Sequence, residues 1–342
     1  MAKLWRSVAG VNKKMFIGKN IRNRVVSMRS YKKRSLYCPG MPTTYIIETT
    51  NACNQECPMC IRKDMTRPIG AMSLAFFKKI IDQIYEYAEL VFPFYLGEPL
   101  LNPEIVSMIS YCTKREIKTS LFTNGTIMSE GLARDLARSG LGHIQFSVDS
   151  VDESVYSTVR SPSRLGEVLA NVEQFLMGNN NRVHTTLSMI EMKPTQDALG
   201  GFIKKWKRYN INIRYKDFSS WGGTDSSINC LAPHAKATKD DLPCDWQWRQ
   251  MTILHDGRVV PCYFDFNGEH AFGNCNTSTV DAIWNGESLR DFRARQIDNK
   301  RRISLCTTCS KACIRPVEQL ALCALDAYSA LYVRLYVLEK NY

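Results

Sequence analysis

Three cysteines, Cys53, Cys57 and Cys60, stand at C-x-x-x-C-x-x-C spacing just after the apolar, β-branched run Tyr45-Ile46-Ile47. That pattern reads as a strand ending in a loop of soft sulfur ligands. Three thiolates on a short loop can hold three irons of a cubane cluster, whereas electron-transfer clusters are held by four cysteines. The fourth iron then stays open to a small molecule, and an open iron marks a cluster that does chemistry. Zinc competes for the same thiols, but it usually takes paired C-x-x-C or Cys/His sets and closes at four ligands. No histidine lies near the loop; the first is His143.

A second thiol group follows late in the chain. Cys244 and Cys262 flank a tight turn at Asp256-Gly257, and Cys306 and Cys309 form a C-x-x-C pair. Four thiolates converging there can close a cluster fully, and the same four would suit structural zinc. Cys112 falls in a helical pattern and Cys275 stands where an apolar residue would suit; free cysteine often behaves as a small buried hydrophobe. Cys230, Cys313 and Cys323 are left without a settled role, one of them a candidate spare ligand or hydrogen-atom donor.

The first motif, with its flanks Glu48-Thr-Thr-Asn-Ala-Cys53-Asn and Cys57-Pro-Met-Cys60, resembles the signature of the radical S-adenosylmethionine (radical SAM) superfamily. The resemblance implies a [4Fe–4S] cluster on Cys53, Cys57 and Cys60, with SAM chelating the open iron through its amino and carboxylate groups. It also implies reductive cleavage of SAM to a 5′-deoxyadenosyl radical. Met59 stands where many members carry an aromatic residue near adenine. Gly97-Glu98-Pro99 matches the family's Gly-Glu-Pro motif, in which Glu98 or strand-end carbonyls accept from the SAM amino group. Asn124 and Ser147 are placed to reach the ribose and carboxylate, and Asp149 to accept from the ribose. Arg160 occupies the place of the arginine that pairs with the SAM carboxylate, a task suited to a planar fork; Arg164 competes for it. The plainer roles are a turn at Asn124-Gly125 and a helix cap at Asp149.

The late segment resembles the SPASM/twitch auxiliary-cluster domains, in its Cys–Gly–Cys spacing and in Gly273-Asn274, Ile283-Trp284 and Leu289. Beyond Cys309 the spacing departs from the seven-cysteine pattern. One auxiliary [4Fe–4S] cluster on Cys244, Cys262, Cys306 and Cys309 is therefore expected, as in the twitch layout of sugar-alcohol dehydrogenases. That layout implies oxidation of a small polyol, sugar or aminoglycoside-like molecule, with the auxiliary cluster accepting the second electron. Epimerisation and peptide maturation are the alternatives. Only about forty residues precede the expected barrel, too few for a leader-binding domain. Outside enzymes, the alternative is a zinc- or cluster-stabilised redox or scaffold protein. An electron donor such as flavodoxin or ferredoxin is implied. His143, His184, His234, His255 and His270 lie in no recognisable catalytic frame, so no base is named.

The elements that must position these groups alternate. Strands are expected at 44–48, 90–96, 118–122, 143–148, 183–189 and 211–216. Helices are expected at 73–87, 103–113, 129–139, 152–177 (broken) and 196–209. Six strand–helix units imply a parallel α/β sheet with its site past the strand ends, and the resemblance makes it a partial (β/α)6 TIM-type barrel. A small C-terminal α+β cluster domain follows, with a hairpin over 251–261 and a helix over 279–295. The expected divisions are a basic extension (1–41), the barrel (42–220), a linker (221–241), the cluster domain (242–315) and a C-terminal helix (316–342).

Charge is concentrated at one end. Residues 1–47 hold eleven Lys/Arg and no Asp or Glu, against a whole-chain net charge of +12. The body is near neutral, which argues against nucleic acid as a partner. The basic arm, interleaved with apolar residues, suits either packing on the barrel or peripheral contact with an anionic membrane. No apolar run approaches the roughly 18 residues of a spanning helix and no signal peptide is evident, so a cytoplasmic protein is expected. Thirteen cysteines in short-spaced sets fit cluster binding in a reducing compartment.

Overall fold

The computed structural model describes residues 21–221, 227–233, 241–307 and 309. The first twenty residues of the basic arm, His234, Cys313, Cys323 and the expected C-terminal helix over 316–342 lie outside the described residues.

Helix α1 (Ile21–Lys32) comes first, followed by β1 (Thr44–Ile47), α2 (Leu74–Ile84), β2 (Leu90–Phe92), α3 (Ile105–Lys114) and β3 (Lys118–Thr123). Next come α4 (Glu130–Arg138), β4 (His143–Ser147), α5 (Glu153–Val159), α6 (Leu165–Asn179), β5 (His184–Ile190), α7 (Leu199–Trp206) and β6 (Asn212–Lys216). The six strands pair in parallel, each beside its sequence neighbour, the partial-barrel arrangement that alternation of strands and helices requires. Helix starts are locally encoded. The Ser73 and Ser129 hydroxyls accept from the Phe76 and Leu132 amides, and the Asp152 carboxylate accepts from Val155. Pro162, between α5 and α6, accounts for the break in the long helical pattern.

Strand side chains alternate between two environments. Leu121, Ile144, Phe146, Leu187 and Met189 pack outward against Leu136, Val168, Val172, Phe175, Phe202 and Trp206 of the helices. The residues between them face the lumen.

The C-terminal segment does not stand apart. Strands β7 (Gln250–Ile253) and β8 (Arg258–Val260) form the expected antiparallel hairpin, with Gly257 in the left-handed region at φ +90°. But β7 also pairs in parallel with β1, from Thr44↔Gln250 to Ile47↔Ile253. With β9 (Gly273–Asn274) the sheet has nine strands in the order β6-β5-β4-β3-β2-β1-β7-β8-β9. In this register Met251 and Ile253 share a face with Tyr45 and Ile47, and all four enter one core with Phe77, Ile80, Trp248 and Trp284. The expected helix over 279–295 is two helices, α8 (Val280–Trp284) and α9 (Glu287–Asn299), parted at Asn285-Gly286. α1 is anchored on the same region: Tyr31 packs on Trp248 with ring centroids 5.3 Å apart, and its hydroxyl donates to the Pro243 carbonyl. Among the described residues no helix is long and apolar enough to cross a membrane.

Candidate active site

The loop carrying Cys53, Cys57 and Cys60 leaves the end of β1 and is held by short polar ties. The Asn51 amide donates to the Pro68 carbonyl and accepts from the Gly70 amide, and the Thr50 hydroxyl donates to the Gly70 carbonyl. The Arg62 guanidinium reaches the Cys53 carbonyl. Gly97 lets the end of β2 press onto the loop: a Cβ there would lie 2.6 Å from the Ala52 oxygen and closer still to that of Thr50. Burial pushes the Cys60 thiol up to about 11 and the Cys53 thiol upward, and in each the neighbouring thiols add to the rise. Such a set is costly to ionise alone, and a bound cationic cluster would displace its protons. Among the described residues no three His, Cys, Asp or Glu side chains close on a single-ion site. An all-sulfur donor set fits iron–sulfur chemistry.

The expected SAM contacts come together around this loop, though several are already engaged. Glu98 is fully buried: one carboxylate oxygen accepts from the Leu100 amide and the Thr123 hydroxyl, and the other from the Asn124 amide. Its first oxygen is saturated, so the carboxylate mainly joins the ends of β2 and β3, and burial raises its pKa to about 7. Pro99 opens the short 3-10 turn that Glu98 caps. Asn124 donates to Asn54 and accepts from Thr126, tying the thiol loop to the end of β3. Ser147 ends β4 on its inner face. Asp149, at φ +62°, accepts from the Ile190 amide and pairs with Arg160. Arg160 in turn faces the Cys57 sulfur at 3.6 Å. It thus sits against the thiol loop, whereas Arg164 lies on the surface beside Glu167. Met59 is buried in a small cluster with Cys57, Val159 and Met192.

The second thiol group also converges. Cys244, Cys262, Cys306 and Cys309 line one cavity, together with Trp246, Phe264, Phe292 and Gln296. Burial raises Cys262 strongly and Cys306 to about 11, with neighbouring thiols adding to both. Gln296 was not foreseen: from α9 its amide donates to the Cys306 sulfur at 3.1 Å and accepts from the Cys244 amide at 3.0 Å. The only signal for it was a polar residue on the inner face of an expected helix. Cys112 and Cys275 are buried in the core, and Cys230 is exposed, its thiol donating to the Ser227 carbonyl.

The two regions are braced against each other by residues with no sequence signature. Arg67 grips Glu48 through two bonds of 2.8 and 2.7 Å and donates to the Phe266 carbonyl. The His255 ring and amide also bond Glu48. The Trp221 indole donates to the Met59 carbonyl at 2.8 Å, and its ring centroid lies 6.1 Å from that of Tyr263 beside Cys262.

Comparison with known proteins agrees with this arrangement. The radical SAM superfamily model matches residues 47–193, and the SPASM iron–sulfur cluster-binding domain model matches residues 244–310. The chain is 25% identical over 314 residues to the tungsten-containing aldehyde ferredoxin oxidoreductase cofactor-modifying protein of Pyrococcus furiosus, covering 77% of this chain and 86% of that protein. It is 23% identical over 282 residues to the PqqA peptide cyclase of Gluconobacter oxydans, covering 72% and 77%. Among solved structures, Streptococcus suis SuiB bound to S-adenosylmethionine aligns with a TM-score of 0.62 at 14% identity, over 85% of this chain and 76% of that one. BtrN in complex with AdoMet and 2-DOIA aligns with a TM-score of 0.53 at 19% identity, over 80% and 94%.

Proposed function

We propose that this radical SAM enzyme, which pairs a SAM-binding [4Fe–4S] cluster with an auxiliary iron–sulfur cluster in its SPASM domain, modifies a peptide substrate. The observation that carries the peptide assignment is the relationship to PqqA peptide cyclase, which spans 72% of this chain. The barrel supplies the means. When bound, a cluster and SAM would supply a carbon radical able to remove one hydrogen atom. Cys53, Cys57 and Cys60 would hold that cluster, and Arg160, locked by Asp149, lies against the Cys57 sulfur. Cys244, Cys262, Cys306 and Cys309, which line one cavity, would hold the auxiliary cluster, and that cluster would supply an acceptor for the second electron. Loss of a hydrogen atom, a proton and an electron is the balance that joining two side chains requires.

A second reading keeps a small-molecule substrate, a polyol or a cofactor precursor. It is supported by the relationship to the cofactor-modifying protein of Pyrococcus furiosus. The test is anaerobic: the iron- and sulfide-reconstituted protein receives SAM, dithionite and either a pool of short peptides or a pool of sugars and polyols. Formation of 5′-deoxyadenosine should rise with peptides, and mass spectrometry should find peptides lacking two hydrogens. Stimulation by sugars and polyols alone would overturn the peptide reading.

A further inference from the structure

Beneath the thiol loop, the strands turn a set of polar side chains into the lumen. Ile144, Phe146, Leu187 and Met189 are packed on the outer face, so alternation sends Gln145 of β4, Ser188 of β5, and Arg214 and Lys216 of β6 inward. Ser188 pairs with Arg214, and Lys216 lies one step nearer the thiol loop, beside Ile190. Strand β6 ends the sheet.

Four features of this face are unexplained by the fold. Gln145 and Ser188 are fully buried, yet neither atom of the Gln145 amide nor the Ser188 hydroxyl has a hydrogen-bond partner. Arg214 is exposed and Lys216 half-buried, and among the described residues neither side chain makes a hydrogen bond or an ion pair. The acid whose charge acts on Lys216 is Asp149, which is committed to Arg160 and the Ile190 amide. Burial lowers the Lys216 pKa to about 8, with Asp149 only partly opposing the fall. On the other side of the lumen, Phe92, Phe94 and Phe122 form an aromatic wall, with Phe94 stacked on Phe122 at 4.4 Å.

We propose that this face is a subsite for a carboxylate of the substrate, gripped by the Arg214 fork and the Lys216 ammonium, with Gln145 and Ser188 meeting its remaining polar atoms. A fork and a point charge together suit a planar anion, and buried polar groups left unpaired are costly until a ligand meets them. The aromatic wall receives the apolar stem. The assignment rests on the peptide reading, under which the group is an acidic side chain of the peptide.

Equilibrium dialysis of the reconstituted holoenzyme tests it, with radiolabelled N-acetyl-L-glutamate amide and its glutamine counterpart as probes. The glutamate probe should be retained and the glutamine probe should not. Arg214→Gln and Lys216→Met should each weaken retention about tenfold, and Arg214→Lys should restore part of it while the cluster absorbance stays that of the parent. Equal retention of both probes, retention of neither, or unchanged retention in both variants would overturn the subsite. SAM retention, measured on the same variants, should not change. A matching loss of SAM would assign the cations to the SAM carboxylate and overturn the substrate assignment. Selective retention of the glutamate probe with no peptide modified leaves the subsite standing and removes the peptide reading.

Discussion

Gly97 has no room for a methyl group. Its Cα approaches the Thr50 and Ala52 carbonyls, and those are rigid backbone atoms that cannot yield without moving the thiol loop. Gly97→Ala should cost about 1–3 kcal/mol, the usual price of overpacking, and should release iron from the first cluster first. Denaturant unfolding and iron content check both; a variant that keeps full iron and stability would show that the loop gives way. A second residue reports on pH. Burial lowers the His143 imidazole from 6.5 to about 4, with His184 and Arg214 adding to the shift. Its neutral ring bonds Ser120 and Thr186. A depressed folded pKa contributes stability above 6.5 that is lost as pH falls toward 4. The parent should therefore lose more stability than His143→Gln across that window in urea titrations, and parallel curves would refute it. At this scale the thiols were legible because spacing alone carries them. The Asp149–Arg160 pair was not, because each residue could be read singly but their contact depends on where β4 ends.

Among elements, the six parallel strands and most of their helices were legible from alternation, periodicity and serine caps. What could not be read was how the late hairpin docks. β7 lies some two hundred residues from β1 in sequence, and its own pattern is satisfied by β8 alone. Parallel pairing with β1 follows only when both strands offer their apolar faces to one core. The brace that accompanies it, Glu48–Arg67–His255, joins the end of β1 to the hairpin turn and is nearly closed to solvent, with Arg67 2% and Glu48 0% exposed. Arg67→Met leaves Glu48 charged and facing only His255. It should destabilise the protein by about 3–5 kcal/mol, and the double variant Glu48→Gln/Arg67→Met should recover a substantial part. A double-mutant cycle in urea measures this; two additive losses would mean the pair is not coupled.

For the whole molecule, the two thiol sets should separate by function. Cys57→Ala should abolish 5′-deoxyadenosine formation. Cys309→Ala should lower iron by about four atoms, one cubane, and spare SAM cleavage while stopping net oxidation of substrate. Loss of cleavage in Cys309→Ala from a protein that retains the first cluster would mean the two sites are coupled in the first step, for which the Met59–Trp221–Tyr263 contact offers a route. The chain alone carried the two thiol sets, the three-cysteine loop and the four cysteines of one cavity, and a parallel sheet to hold them, because residue spacing and hydrophobic period are local properties. Folding settled matters of distance. The late segment shares the barrel's core, Glu98 spends its carboxylate on β3 rather than standing free, and Ser188 stands in register with Arg214 between β5 and β6. These are contacts between residues tens to hundreds of positions apart, and no local pattern encodes them.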